Sequence, residues 1–393
     1  MITDKSIKEI QTVLQSEKLD GWLLYDFRGS NHIAQRMIGL KDKITTRRWY
    51  YYIPSKGLAK RLVHAIESDN LNHLPGEKII FRSWEDLHRA LHDTLRGAER
   101  IAMEYSPEND IPYVALVDSG TVELVRRCGS EVVSSGDLVQ IFEARWNAGQ
   151  TRSHFEAAKR VNEVKDEGFR FIHENMSAKK RITEYDVQQY MWKLFEAKNL
   201  TADHPAIVAV NANASSPHYS PDRDGSTIIC EGDLVLIDIW GKLKEPEAIY
   251  GDITWMGFVG RQVPERFQEV FRIVKGAQHR AFDLIRDNFR SGIPTYGWQA
   301  DQAARSFITE RGYGEHFLHR LGHSIGTNVH GNGANLDNLE TRDQRKLIFH
   351  TGFSIEPGIY LAEFGVRSEI DVYIGDDGPV ISSLEQTEII PLM

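Results

Sequence analysis

The sequence predicts two domains, a smaller α/β domain over residues 1–150 and a larger α+β domain over 151–393. Three observations carry this expectation. A length of 393 residues is about twice a common domain size, so each half is long enough to bury its own core. Short β-rich runs alternate with helical periods in the first part of the chain, which is the signature of a small α/β domain. The pattern then breaks around Asn147-Ala-Gly149-Gln150, and beyond it pairs of long helical periods give way to strands.

Taken in order, residues 5–18 place Ile7, Ile10, Val13 and Leu14 on one face of an amphipathic helix. Trp22-Leu-Leu-Tyr25 reads as a strand, followed by Trp49–Ile53, Arg61–Ile66, Lys78–Phe81 and Arg100–Met103, with a helix at about 84–96. The stretch Thr45-Thr-Arg47-Arg48-Trp49-Tyr50 has two readings, a cationic aromatic segment reaching a site or a strand with residues on both faces. From Ser153 a long helical period begins, and Glu156 three residues later gives capping-box spacing. A second helix follows Thr183, with strands at Ala206–Val210, 234–240 and 249–259. Helices from Pro264 to about Phe289 and from Tyr296 to Arg311 come next, Pro264 suiting a first turn. Short strands close the chain at Phe353–Glu356, Gly358–Leu361, Val366–Ile374 and Glu388–Ile390. Each half of the second domain thus runs helix pair then strands, which hints at an internal duplication.

Composition narrows the function classes. Hydrophobic residues make up 41% and charged residues 26%, and no apolar run reaches the length of a membrane span. The first ten residues read as an amphipathic helix and not a secretory signal, so a cytoplasmic protein is expected. Cys128 and Cys230 are far apart and form no CxxC, which argues against a disulfide framework or thiolate metal site. A net charge of -9 without a dense basic block argues against nucleic-acid binding.

The chemistry is concentrated between Asp238 and Glu369. Asp238 and Asp252 sit at the ends of neighbouring apolar runs, Leu234-Val-Leu-Ile-Asp238 and Ile249-Tyr-Gly-Asp252-Ile-Thr254. His323 lies in Leu321-Gly-His323-Ser-Ile-Gly326, and Glu356 and Glu369 lie in Ser354-Ile-Glu356-Pro-Gly-Ile-Tyr360 and Gly365-Val-Arg-Ser-Glu369. A desolvated carboxylate costs several kcal/mol unless it is paired or bound to metal. Only Arg367 is close in sequence to these acids, so a pair of divalent ions is the economical partner. One imidazole among several carboxylates favours hard ions, with Mn2+ first and Co2+, Zn2+ and Fe2+ open.

This ordered set resembles the pita-bread metallopeptidases: methionine aminopeptidases, Xaa-Pro aminopeptidases and Xaa-Pro dipeptidases (prolidases), with metal-free creatinase as a relative. The resemblance covers about 151–393, and the preceding domain is similar to the creatinase-type N-terminal domain of the proline-specific branch. It implies a C-terminal pita-bread fold, two divalent metal ions per subunit, an Xaa-Pro peptide as substrate and a homodimer. Asp238 would chelate one ion, Asp252 and Glu369 would bridge, and His323 with Glu356 would complete the other shell. The ions would supply a nucleophile deprotonated near neutral pH. Glu356 would shuttle a proton to the leaving amine. His218 in Ser216-Pro-His218-Tyr219 matches a substrate-side histidine, His330 in Thr327-Asn-Val-His330 one that supports the substrate carbonyl, and His319 a further position of the family. His204, His316 and His350 have no match.

Several positions depart from that pattern. The separation of Asp238 from Asp252 is longer than usual, so the hairpin joining them should be extended at Lys242–Glu247. Trp255 replaces an expected Arg, and Arg320 replaces a small residue after His319. The link from Glu356 to Glu369 is short and lacks the segment in which some prolidases carry an Arg for the substrate carboxylate. Arg367, Arg320 or the Arg47-Arg48 pair, the last from a partner subunit, are the candidates to replace it. Hydrolysis of Xaa-Pro dipeptides is therefore the first expectation, an Xaa-Pro aminopeptidase on longer peptides the second, and a non-catalytic binding protein on the same fold the third.

Overall fold

The computed structural model describes residues 2–40 and 45–393, and the chain divides into two compact units, Met1–Glu143 and Ala144–Met393. The division falls ahead of the expected 150 because Trp146 already belongs to the second unit. Its indole stacks on Tyr373 with ring centroids 5.3 Å apart, and its Nε1–H donates to the Ile325 carbonyl at 3.2 Å.

The first unit contains helix α1 (Asp4–Ser16), strand β1 (Gly21–Asp26), α2 (His32–Ile38), β2 (Trp49–Pro54), β3 (Lys60–His64) and β4 (Glu77–Phe81). It continues through α3 (Trp84–Leu95), β5 (Arg100–Met103), α4 (Ser119–Arg127), β6 (Glu131–Ser134) and α5 (Gly136–Val139). Its six-stranded sheet runs β4-β3-β2-β1-β5-β6, antiparallel at β1–β2 and β2–β3 and parallel elsewhere. Alternation along β2 builds both sides of the sheet. Trp49, Tyr51 and Ile53 join the core beside α1 and α2, while Tyr50 and Tyr52 join the opposite core beside α3 and α4. The two-faced reading of this aromatic run is the observed one.

The second unit opens on α6 (Ala148–Ser177) and α7 (Glu184–Ala197), then β7 (Leu200–Thr201), β8 (Ile207–Val210), β9 (Leu234–Leu243) and β10 (Gly251–Phe258). A second helix pair, α8 (Glu265–Arg290) and α9 (Gly297–Thr309), precedes β11 (Ser324–Ile325), β12 (Gly352–Ile355) and the β13 (Gly358–Tyr360)–β14 (Gly365–Arg367) ribbon. β15 (Ile370–Gly375), β16 (Gly378–Ile381) and β17 (Ile390–Pro391) complete it. One sheet is ordered β17-β10-β9-β7, with β8 also on β9, and the other β11-β12-β15-β16. Alternate residues of β9 serve two cores. Val235, Ile237 and Ile239 pack with α6 and α7, whereas Leu234 and Leu236 pack with residues of α8 and α9. This is the α+β arrangement of the expected pita-bread fold, with the helix-pair-then-strands order seen twice.

Boundaries moved where local chemistry differed from the pattern. α6 starts at Ala148, not Ser153, because Asn147 and Gln150 form the capping box there. Ser153 lies inside the helix, and its Oγ accepts the Ile249 N–H at 3.1 Å. Pro264 sits at the cap position of α8 and not in its first turn. The run Val366–Ile374 is broken at Ser368-Glu369, where the Glu369 N–H leaves the ladder and donates to the Thr254 carbonyl at 3.1 Å. No helix among the described residues is long and apolar enough to cross a membrane.

Candidate metal centre

The β9–β10 hairpin supplies the two aspartates. Asp238 faces Thr254 and Trp240 faces Asp252 across an antiparallel ladder, so the two carboxylates share one face of the ribbon. Asp238 lies in the middle of β9 and not at a strand end, because that strand continues to Leu243. The extended turn leaves the register intact from Gly251 to Phe258. Gly251, next to Asp252, lets β10 press onto α6: a Cβ there would meet the Ala158 backbone at 2.6 Å.

His323 enters just before β11, Glu356 just after β12, and Glu369 between β14 and β15. The Ser354 N–H donates to the His323 carbonyl at 2.9 Å, and the Glu356 N–H donates to the Leu321 carbonyl at 2.8 Å. Ser354 also accepts the His323 N–H on its Oγ, 3.0 Å away, and that Oγ lies 3.2 Å from Glu356 Oε1. Gly322 makes the approach possible, since a Cβ there would fall 2.0 Å from the Ser354 carbonyl oxygen.

These elements bring potential ligand atoms of Asp252, His323 and Glu369 within 4.8 Å of one another. His323 Nε2 lies 3.5 Å from Asp252 Oδ2 and 3.5 Å from Glu356 Oε1. Its Nδ1 faces the Ser324 carbonyl at 3.2 Å, so Nδ1 carries the proton and Nε2 offers a lone pair to the carboxylates. Burial holds the imidazole below its ordinary pKa. Thr254 Oγ1–H donates to Glu369 Oε2 at 2.9 Å and orients that carboxylate.

The electrostatics show what the cluster lacks. Burial, followed by the neighbouring Asp238 charge, pushes Asp252 well above the ordinary carboxylate range. Burial and then Asp252 do the same to Glu369, and burial raises Glu356 against the opposing pull of His323 and Arg367. Behind the ligands, Asp371 is also raised by burial and by Asp252; its Oδ2 accepts the Asp252 N–H at 2.9 Å while its Oδ1 has no hydrogen-bond partner. Crowded acids without enough cations are what divalent ions would relieve. The donor set of carboxylate oxygens and one neutral imidazole nitrogen fits hard divalent metals.

Arg367 lies within the cluster and is tied to it. Its Nη2–H donates to Asp238 Oδ2 at 2.5 Å, Nη1–H to the Tyr360 hydroxyl at 3.0 Å and Nε–H to Thr254 Oγ1 at 3.2 Å. The side chain is buried and its fork is engaged on three partners of the cluster. His319 is placed one step further back. Its Nδ1–H donates to the Arg320 carbonyl at 2.7 Å and its Nε2 accepts the Tyr360 hydroxyl at 2.6 Å. Burial, then the Arg367 charge, brings its pKa down to about 3, so it is a neutral acceptor.

His330 reaches the cluster, its ring edge-on to His323 with centroids 4.4 Å apart. The neighbouring His323 first, and burial second, lower its pKa to about 3, and the Arg320 charge adds to that effect; His218 is exposed. Gln278 of α8 was not singled out from sequence. Its Nε2 donates to the Ile355 and Ser368 carbonyls at 3.0 and 2.8 Å, tying together the backbone just before Glu356 and Glu369.

The fold and this cluster of acids around one histidine define a metal-dependent hydrolase class. Residues 156–376 match metallopeptidase family M24, more than half of the chain, and the chain belongs to that family. The Xaa-Pro dipeptidase of Lactobacillus delbrueckii subsp. lactis is 30% identical over 198 residues, 47% of each chain. The Xaa-Pro dipeptidase of Pyrococcus furiosus is 29% identical over 232 residues, covering 58% of this chain and 61% of that protein. The chain thus aligns with about half the length of the curated relatives it matches. Among solved structures, dipeptidase PepE from Mycobacterium ulcerans superposes with a TM-score of 0.72 at 20% identity, over 99% of this chain and 97% of that one. An X-prolyl aminopeptidase from Caenorhabditis elegans, described as cytosolic with a di-nuclear active site, superposes at 0.65 with 17% identity, over 99% of this chain and 63% of that one.

Proposed function

We propose that this chain hydrolyses the bond before proline in Xaa-Pro dipeptides, using two divalent ions held by Asp238, Asp252, His323, Glu356 and Glu369. The observation that carries the reading is the buried convergence of Asp252, Glu369 and Glu356 on the free Nε2 of His323. Mn2+ is the first choice among the ions, and a metal pair supplies Lewis acidity and a nucleophile deprotonated near neutral pH. Glu356 moves the proton toward the departing amine. His330, neutral and beside His323, supports the substrate carbonyl, with His218 on the substrate side. His319 acts only through Tyr360 and Arg367, fixing the position of Asp238.

We propose Arg320 as the cation for the substrate carboxylate. It lies between His319 and His323, and its positive charge is felt by His319, His323 and His330. A homodimer of this chain is part of the same reading. The sequence likeness to Xaa-Pro dipeptidases favours the dipeptide over the longer substrates of an aminopeptidase. Hydrolysis of an Xaa-Pro dipeptide against an Xaa-Pro-Yaa tripeptide by the Mn2+-loaded protein tests it. Preference for the dipeptide is expected, and preference for the tripeptide would move the assignment to an aminopeptidase.

A further inference from the structure

A second site lies within the first unit, remote in sequence from the metal ligands. It is a cavity of ≈ 710 Å³, within the range of small-molecule pockets. Five arginines line it: Arg28, Arg47, Arg48, Arg82 and Arg127. They come from the end of β1, the approach to β2, the end of β4 and the end of α4, so the fold and not a basic run in the sequence gathers them.

The single acid in the lining, Asp118, is already committed. It caps α4, accepting the Thr121 N–H and the Thr121 hydroxyl, each at 2.8 Å. Among the described residues none of the five guanidiniums forms an ion pair with a carboxylate. Arg47 Nη1–H donates instead to the neutral carbonyl and hydroxyl of Thr46, and Arg28 lies over the Phe27 ring at 5.3 Å. The buried Tyr50 ring packs on the lining Tyr25 with centroids 4.9 Å apart. Gathered positive charge repels itself and is stabilised by a bound anion. Trp84 and Phe27 add exposed aromatic faces, 63% and 40% accessible, on which a flat ring can stack.

We propose that this cavity is a binding site for a small anionic ligand, a phosphate or a cluster of carboxylates carried on a flat ring. The guanidinium forks take the anionic oxygens in paired hydrogen bonds, and Trp84 takes the ring.

Isothermal titration of the full metal-loaded chain at low salt tests this with three probes: adenosine monophosphate, benzene-1,3,5-tricarboxylate and inorganic phosphate. Binding of at least one ring-bearing probe is expected, weakened at least tenfold by the surface substitutions Arg82→Ala and Arg127→Ala together, with Xaa-Pro hydrolysis unchanged. Trp84→Ala should weaken the ring-bearing probe several-fold and leave inorganic phosphate as in the parent. The preferred ring-bearing probe tells phosphate from clustered carboxylates. No binding of any probe, or equal binding by the doubly substituted chain, which would place the anion elsewhere, overturns the proposal. Arg127→Lys, which keeps the charge, should retain more affinity than Arg127→Ala.

Discussion

At the scale of single residues, the proposed function gives Arg367 and Arg320 two separate tasks. A guanidinium that donates to Asp238, Tyr360 and Thr254 positions the proposed ligand Asp238 through a fork that an ammonium cannot reproduce. Arg367→Lys is therefore expected to lower kcat/KM by about tenfold or more, ~1.4 kcal/mol per factor of ten, equally for an Xaa-Pro dipeptide and its C-terminal amide. Arg320→Ala should raise KM for the dipeptide by about tenfold and leave the amide nearly unchanged, since only the dipeptide carries a charge to lose. Steady-state kinetics on both substrates separate these outcomes. A selective loss on the acid by Arg367→Lys would return Arg367 to the substrate.

At the scale of elements, the seam between α6 and β10 supports the metal centre from behind. Gly251→Ala would drive a Cβ into the Ala158 backbone at 2.6 Å, at the residue before Asp252. Overpacking of this kind costs about 1–3 kcal/mol, so a lower denaturant midpoint and weaker metal binding are expected together. The same seam contains His154, whose Nδ1–H donates to the Tyr250 carbonyl at 2.6 Å and whose Nε2 accepts from Ser382 at 2.7 Å. Burial lowers its pKa from 6.5 to about 4. In the unfolded chain the imidazole takes up a proton near pH 6.5 and in the folded chain only near 4, so unfolding binds protons between these values. Stability should be full above pH 6.5 and fall by about 3 kcal/mol as the pH drops to 4. Urea titrations across that range check it, and His154→Gln should flatten the fall. An equally steep fall in the variant would assign it to other groups.

At the scale of the whole molecule, two units with separate cores should unfold in two calorimetric transitions. Mn2+ at a hundred times its dissociation constant should raise only the transition of the second unit, by about 2.7 kcal/mol per independent ion. Much of the fold and of the convergence of Asp252, His323 and Glu369 was legible in the sequence, because each candidate ligand sits in a local motif with its own apolar run or turn. What escaped was decided at a distance. Gln278 acts on carbonyls of Ile355 and Ser368 that no window around it contains. The partners of Arg367 come from β9, β10 and β13, so its charge was visible and its engagement was not. The start of α6 was misplaced because two capping patterns lay six residues apart, and Asn147 with Gln150 prevailed over Ser153 with Glu156. The cavity of the first unit draws its five arginines from four separate segments, which is why Arg47-Arg48 alone gave two readings.

The central claim is that the five ligands hold two ions and that these ions serve Xaa-Pro hydrolysis. Metal content after Mn2+ loading and dialysis, measured on the parent and on Asp252→Ala beside dipeptide hydrolysis, tests it most directly. Two ions per chain with activity in the parent, and loss of both metal and activity in Asp252→Ala, are the results predicted; two ions retained by Asp252→Ala, or a fully loaded parent that leaves Xaa-Pro dipeptides intact, would contradict it.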